Sequence, residues 1–284
     1  MKITDACTDC LLSRVSLECR LCGAGEDVTR AALAECGRLL EELRNEPLSH
    51  PQIASAIHRR AYEIIGNPDP FAALKRAGNR EAMDVCREVR GKVVSFRDHV
   101  LASVIGNTFD YGVKGHNVDK DFSRFFRDEY AKGLTIDDTG AIRKFCTRVV
   151  YLSDNCGEIV LDKLLISWLR AHGSHVTLAV KGRPALNDAT LDDARELGLD
   201  RMVDLLTTNG GGAEIGIAMK EIPGDLRDAL SRCTIIIAKG MANYESLSEM
   251  KGLPPVAYLL AAKCRPVADE IGVPVGSKIA MLRR

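Results

Sequence analysis

The second half of the chain contains short apolar runs rich in β-branched residues, and each run is followed by a segment with helical spacing. The clearest runs lie at 148–152, 176–181 and 234–238. Apolar runs that alternate with helices are typical of parallel strands in an open α/β sheet. Ligands bind to such sheets at the carboxyl ends of the strands, so the residues that follow each run are the first candidates for a site.

Polar side chains follow each of these runs. The clusters are Ser153-Asp154-Asn155, Asn187-Asp188, and Lys239-Gly240 with Asn243 and Glu245. Because the carboxyl ends of parallel strands meet at one edge of a sheet, we expect the clusters to converge on one crevice. Carboxylate and amide oxygens can hold a hard divalent cation, and an ammonium group can meet a bound anion. The pattern therefore favours metal-assisted chemistry on a phosphate.

Helix capping is the alternative explanation for these polar residues. Asp154 and Asp188 each precede a helical segment, and caps use the same residue types as metal sites. Lys181 could meet a phosphate or be solvated. Lys239 is the hardest to dismiss, because a lysine at the end of a strand with three successive isoleucines is costly to bury unless it meets an anion or water.

The first half of the chain has a different texture, with helical spacing throughout. We predict helices near 31–43, 51–65, 71–77, 81–90, 93–104 and 119–132. The second half alternates strands and helices, with further helices near 158–171, from about 190 and near 225–231, and further strands near 203–207 and 256–262. The fold class is therefore α/β, with a Rossmann-like, mostly parallel sheet. We expect a helical domain at 1–145 and an α/β domain at 146–284 that carries the metal site.

The bulk composition excludes some classes of partner. Lys plus Arg and Asp plus Glu number 39 each, so the net charge is zero and no basic stripe marks nucleic acid as a partner. The longest apolar stretches fall well short of a membrane span, and the N-terminus lacks a signal-like apolar region. We therefore expect a cytoplasmic protein that uses neither nucleic acid nor a membrane.

Ten cysteines are many for a chain of this length. Without an export signal a disulfide framework is not expected. Cys7-x-x-Cys10 and Cys19-x-x-Cys22 could supply four thiolates to zinc or an iron–sulfur cluster. Only eight residues separate the pairs, fewer than the roughly 15–20 of common zinc ribbons. Cysteines three apart also share one helix face, so both explanations stay open at this point.

Four motifs, taken in order, resemble the damage-control phosphatase family, also called ARMT-like and formerly domain of unknown function 89. They are Gly106-Asn107 with Asp110 and Gly112, Asp154-Asn155-x-Gly-Glu158, Lys181-Gly-Arg-Pro-x-x-Asn-Asp188, and Lys239-Gly-x-x-Asn-Tyr-Glu245. The resemblance covers nearly the whole chain. The opening Cys-x-x-Cys and the compact length are similar to the archaeal-type branch.

The resemblance implies a helical domain packed on a Rossmann-like domain, and metal-dependent hydrolysis of small phosphate esters such as sugar phosphates or damaged phosphometabolites. The implied partner is a small phosphorylated metabolite, and the implied cofactor is Mg²⁺, Mn²⁺, Co²⁺ or Ni²⁺. The implied positions are the metal ligands Asp154, Asn155 and Asp188, the phosphate-binding Lys239, and Asn107 and Asp110 near the substrate.

Further roles follow from the residues themselves. We expect water to attack in line, oriented by Asp154 or Asp188, with Glu158 as a less favoured base. The other candidates for substrate binding are Lys181, Asn243 and Glu245.

Two alternatives belong to other functional classes. One is an S-adenosylmethionine-dependent carboxyl methyltransferase, an activity also ascribed to the family, although the glycine loop at 210–212 is weak evidence for its cofactor pocket. The other is a non-catalytic metal-binding module centred on Cys7, Cys10, Cys19 and Cys22.

Overall fold

A computed structural model describes Met1 and residues 3–108 and 122–284, with the side chains of 122 and 123 left out. The predicted site residue Asp110 lies outside this part of the chain. The described part of the chain before residue 133 is helical, as expected from its spacing. Its helices are α1 (Asp5–Leu21), α2 (Glu26–Leu43), α3 (His50–Ile65), α4 (Ala72–Val89), α5 (Phe96–Gly106) and α6 (Phe122–Lys132).

Strands and helices alternate in the rest of the chain. The elements are β1 (Ile136–Asp137), α7 (Thr139–Ile142), β2 (Arg148–Leu152), α8 (Glu158–Ala171), β3 (His175–Val180), α9 (Leu191–Glu196), β4 (Leu205–Thr208), α10 (Gly224–Arg232), β5 (Ile235–Lys239), α11 (Gly240–Leu247), β6 (Val256–Ala261), α12 (Arg265–Ile271) and β7 (Lys278–Arg283). None of the helices in the described ranges is both long enough and apolar enough to cross a membrane.

The strands form one seven-stranded sheet in the order β1-β7-β6-β5-β2-β3-β4. Strands β2 to β6 run parallel, whereas β7 is antiparallel to β6 and pairs in parallel with β1. The mostly parallel sheet is thus confirmed. Strand β2 has β3 on one side and β5 on the other, so the strand order reverses there. Such a reversal opens a crevice at the carboxyl ends of β2 and β5.

Helices cover both faces of the sheet. Side chains on both faces of the central strands are therefore buried, and these strands are apolar at successive positions. In β5, Ile235 and Ile237 belong to a core shared with helices α5 and α8, and Ile236 belongs to a second core shared with α10 to α12. Side chains alternate between the faces of a strand. Lys239 therefore falls on the same face as Ile237 and points toward α5 and α8.

Helices α1, α2 and α3 pack around a third apolar core of their own, which reaches Leu186 and Ile215. Helices α4 and α5, in contrast, share the core of the sheet. Strand β1 also joins the sheet although it precedes residue 145. The division into domains at 145 remains a prediction.

Candidate active site

The polar clusters after β2 and β3 meet at the crevice. Asp154 and Asn155 follow β2, and Asn155 pairs with Asp188 in an isolated antiparallel bridge. The turn then enters α8 through Gly157, whose φ of 80° lies in the region that favours glycine. The Gly157 N–H donates to Oδ1 of Asn79 at 2.6 Å. Backbone pairing therefore fixes the two aspartates beside each other.

Asp154 is held by two side-chain amides and lies against a glycine. Its Oδ2 accepts from Nδ2 of Asn107 at 3.0 Å and from Nδ2 of Asn155 at 2.8 Å. Gly240 opens α11 with a φ of 75°, and a Cβ there would overlap the Asp154 carboxylate. Only a glycine lets the α11 backbone approach the carboxylate this closely.

Negative charge is concentrated around Asp154. Burial raises the pKa of its carboxyl well above the usual range, and the charges of Asp188 and Glu158 add to this shift. Four carboxylates are buried in this region, against the two ammonium groups of the buried lysines: Asp154, Glu158, Asp162 and Asp188, with Lys181 and Lys239. The arrangement favours a further cation.

Lys239 sits in a buried ionic cluster behind the aspartates. Its Nζ lies 2.9 Å from Oε1 of Glu158 and 3.1 Å from Oδ1 of Asp162, and donates to the Ser103 carbonyl oxygen at 2.9 Å. Burial alone would lower the lysine pKa, but the two carboxylates outweigh it and the pKa is raised. Burial also raises the pKa of Asp162 to about 6, against the opposing charge of Lys239. The ammonium group therefore stays charged at neutral pH.

Asn107 connects this cluster to the crevice. Its Nδ2 donates to Asp154 and, at 2.7 Å, to Oε2 of Glu158. Its Oδ1 accepts from the N–H of Ala261 at 3.0 Å. One buried amide at the end of α5 thus joins the ends of β2 and β6.

A cavity of about 200 Å³ opens in front of the aspartates. Asp154, Asn155, Asn187 and Asp188 form one side of it. Other lining residues come from α1, α3, α11 and the segment after β6, among them Cys7, Cys10, Arg14, His50, Glu245 and Lys263. Carboxylate and amide oxygens on one side, with cationic side chains on another, suit an anion held next to a hard divalent cation.

A sequence model of the damage-control phosphatase ARMT1-like domain matches residues 3–279. The chain belongs to this family. A damage-control phosphatase of Archaeoglobus fulgidus is 43% identical over 286 residues, which cover 99% of each chain. The resemblance inferred from the motifs is thereby confirmed.

Further comparisons agree with this family. A damage-control phosphatase of Pyrococcus horikoshii is 29% identical and covers 99% of this chain and 98% of its own. The crystal structure of a DUF89 family protein from Pyrococcus horikoshii superposes with a TM-score of 0.90, at 29% identity and 99% coverage of both chains. The names of the relatives support phosphatase activity.

Three further predicted residues of the family motifs have partners within the protein. Nζ of Lys181 donates to the Gly216 carbonyl oxygen at 2.6 Å and lies 3.2 Å from Oδ2 of Asp188. Nδ2 of Asn243 donates to the carbonyl oxygens of Ser153 and Lys239, so it joins the carboxyl ends of β2 and β5. Glu245 pairs with Nδ1 of His50 at 3.1 Å.

The two cysteine pairs lie at opposite ends of α1. Cys7 and Cys10 line the cavity, whereas Cys19 is buried in the core of α1 to α3. Twelve residues separate Cys7 from Cys19, which in a helix is about 18 Å. One ion held by all four cysteines, which was one of the two explanations left open by the sequence, is incompatible with this geometry. No described group of three or more His, Cys, Asp or Glu side chains is arranged to hold a metal.

Several residues of this candidate site were not predicted from the sequence. Ser103 and Asp162 are direct partners of Lys239, and His50 is the partner of Glu245. Asp162 could have been found, because it lies one helical turn after Glu158, among the apolar residues Ile159, Leu161 and Leu165. Ser103 and His50 carry no comparable local signal, since their partners are more than a hundred residues away.

Proposed function

We propose that this protein is a divalent-metal-dependent phosphatase that hydrolyses small phosphate esters by attack of water. One observation carries the proposal. Asp154 and Asp188, buried side by side after adjacent strands, line a cavity in a region with more buried carboxylates than buried ammonium groups. The names of the relatives support the reaction class.

The proposed metal ligands are Asp154, Asn155 and Asp188. This set contains two carboxylates and one amide, which are oxygen ligands suited to Mg²⁺, Mn²⁺, Co²⁺ or Ni²⁺. A bound ion of this kind would polarise a phosphoryl oxygen and offset its charge. The raised pKa of Asp154 agrees with this assignment, because a carboxylate crowded by other negative charges gains most from a cation.

The remaining residues divide into those that face the cavity and those that support it. Asp154 and Asp188 face the cavity, so either can orient the attacking water. Glu158 and Lys239 are fully buried behind them. Direct contact between Lys239 and phosphate, as the resemblance implies, would require the lysine to leave Glu158 and Asp162. We therefore propose that Lys239 positions Glu158, which in turn holds Asn107 and Asn155.

The test is phosphate release from a panel of small phosphate esters with each of the four metals, against a chelator control. We expect Asp154→Ala to lower metal-dependent turnover by more than 100-fold, because even residues that only support metal ligands contribute about 10–100-fold. Metal affinity, measured by calorimetry, should fall with it.

Asp192→Ala is the matched control, since this aspartate is exposed on α9. It should keep wild-type turnover and metal affinity. Turnover that persists in folded Asp154→Ala, or that is unaffected by the chelator in the wild type, would show that the proposed metal site is wrong.

A further inference from the structure

The loop between β3 and α9 places one buried amide beside the two aspartates without giving it a partner. Asn187 lines the same cavity as Asp154 and Asp188, and only 2% of its surface is exposed. Its Nδ2 has no hydrogen-bond partner among the residues that the structure describes. Nearly all buried polar atoms in folded proteins are paired, so an unpaired donor at a cavity requires an explanation.

The backbone around Asn187 is fixed on both sides. The N–H of Leu186 donates to the Tyr62 hydroxyl at 2.9 Å, and the carbonyl oxygen of Asn187 accepts from the N–H of Cys156 at 2.8 Å. Leu186 has a φ of 50°, a conformation that leucine rarely adopts. Such strain persists where the surrounding structure demands it, and it concentrates at functional sites. The amide is therefore held at the cavity although the backbone at Leu186 is strained.

The chemistry of the neighbourhood indicates the acceptor. A phosphate bound next to Asp154 and Asp188 through a shared cation would bring its non-bridging oxygens to this side of the cavity. A neutral N–H donor suits these oxygens, because it binds the anion without competing for the cation. We propose that Nδ2 of Asn187 donates a hydrogen bond to a phosphoryl oxygen of the substrate. This inference rests on the proposed phosphatase function.

The variant Asn187→Leu tests the proposal, since leucine has a similar size and removes the amide. Replacing an unpaired buried donor with an apolar group is nearly neutral for folding. We expect a Tm equal to or above that of the wild type. In the presence of saturating Mn²⁺, the affinity for inorganic phosphate should fall roughly 10- to 100-fold, as expected for one hydrogen bond to a charged group. Scanning calorimetry measures the Tm, and titration calorimetry measures the phosphate affinity. The value of kcat/KM should fall in parallel with the affinity.

The control is Asn209→Leu. Asn209 is also buried, follows β4, and is absent from the residues that line the cavity. Its Nδ2 donates to the Gly216 carbonyl oxygen at 2.7 Å. Loss of that bond should lower the Tm while phosphate affinity stays within about twofold of the wild type, which is less than the effect of one hydrogen bond. Asn187→Leu is thus expected to lower phosphate affinity but not the Tm, and Asn209→Leu to lower the Tm but not phosphate affinity.

Three results would overturn the proposal. Wild-type phosphate affinity in Asn187→Leu, with active wild-type enzyme, shows that the amide does not contact phosphate. An equal loss of Mn²⁺ affinity shows that Asn187 supports the metal ligands instead. A clear drop in Tm shows that the amide is paired within the protein. If the leucine variant does not fold, the smaller Asn187→Ala also removes the donor without adding charge, and its phosphate affinity should fall by the same factor of roughly 10- to 100-fold. An inactive wild type is a separate failure, that of the proposed function.

Discussion

At the scale of single residues, Gly240 makes the sharpest prediction. Its positive φ and its approach to Asp154 leave no room for a Cβ. We expect Gly240→Ala to displace the Asp154 carboxylate and lower turnover more than tenfold, because small misplacements of reacting groups are costly in catalysis. The same variant should lose metal affinity, which calorimetry would measure.

Gly252→Ala separates this steric effect from backbone strain. Gly252 has nearly the same φ, 77°, and an added Cβ there meets nothing within 4 Å. Both variants should lose about 1–2 kcal/mol of stability from the left-handed conformation. Only the variant at Gly240 should lose activity. Equal turnover in the two variants would show that Asp154 tolerates the displacement.

The sequence predicted part of the site at this scale. Asp154, Asn155 and Asp188 were placed together by the rule that ligands bind where parallel strands end, and the structure brings them together. The surroundings of Lys239 were not predicted. Its partners come from α5 and α8, and the packing of helices onto a sheet depends on contacts distant in sequence.

At the scale of elements, the helices with a strong periodic pattern of apolar residues were predicted well from the sequence. Helix α8 was expected at 158–171 and lies there, bounded by Gly157 and Gly173. Helix α4 was expected as two pieces but runs unbroken through Gly78 and Asn79, both buried. The Asn79 side chain accepts a hydrogen bond from the N–H of Gly157, and this tertiary contact compensates for the weak helix propensity of asparagine. Strands β1 and β7 were missed. Strand β1 is two residues long, and β7 pairs with the preceding strand β6 as well as with β1.

Helices α4 and α9 are joined by a buried ion pair, which predicts a pH dependence. Oδ2 of Asp193 accepts from the Thr190 hydroxyl at 2.6 Å and lies 3.3 Å from Nζ of Lys75. Burial raises the carboxyl pKa, but these partners outweigh it and the pKa is lowered. A carboxyl with a lowered pKa in the folded state stabilises above its unfolded value of about 3.9, and this contribution is lost as the pH falls through the folded pKa.

Asp193→Asn should therefore lower the free energy of unfolding at pH 7 by about 1.5–3 kcal/mol, the range for hydrogen bonds to charged groups. The difference from wild type should shrink as the pH falls below about 4. Urea unfolding at several pH values measures it. Asp192→Asn, at the exposed neighbouring position, should show no such dependence. A constant difference across the pH range would contradict the assigned ion pair.

At the scale of the whole molecule, the site exists only when helices and sheet are assembled. Asp154 and Asp188 come from the loops after β2 and β3, Glu158 and Asp162 from α8, Lys239 from β5, and Asn107 from the end of α5. These elements share one apolar core. Folding therefore creates the cluster of buried carboxylates, and the proposed cation, by binding only the assembled site, would stabilise the folded state.

Asn107 is where this linkage is best tested, because its amide donates to two carboxylates and accepts from β6. Asn107→Asp keeps the size and places a third carboxylate against Asp154 and Glu158. We expect a loss of about 3–5 kcal/mol without metal, the range for an uncompensated buried charge. Mn²⁺ should then raise the Tm more in the variant than in the wild type, since an added negative charge strengthens cation binding.

Asn45→Asp makes the same chemical change at an exposed position and should leave both Tm values unchanged. Thermal unfolding with and without Mn²⁺ distinguishes the possibilities. Suppose that Asn107→Asp has a lower Tm and that Mn²⁺ does not raise it. The added carboxylate is then buried, but the crevice does not bind Mn²⁺. Protons must in that case balance the excess of carboxylates. Recovery with Mn²⁺ would link the assembly of helices and sheet to the proposed metal site through a single side chain.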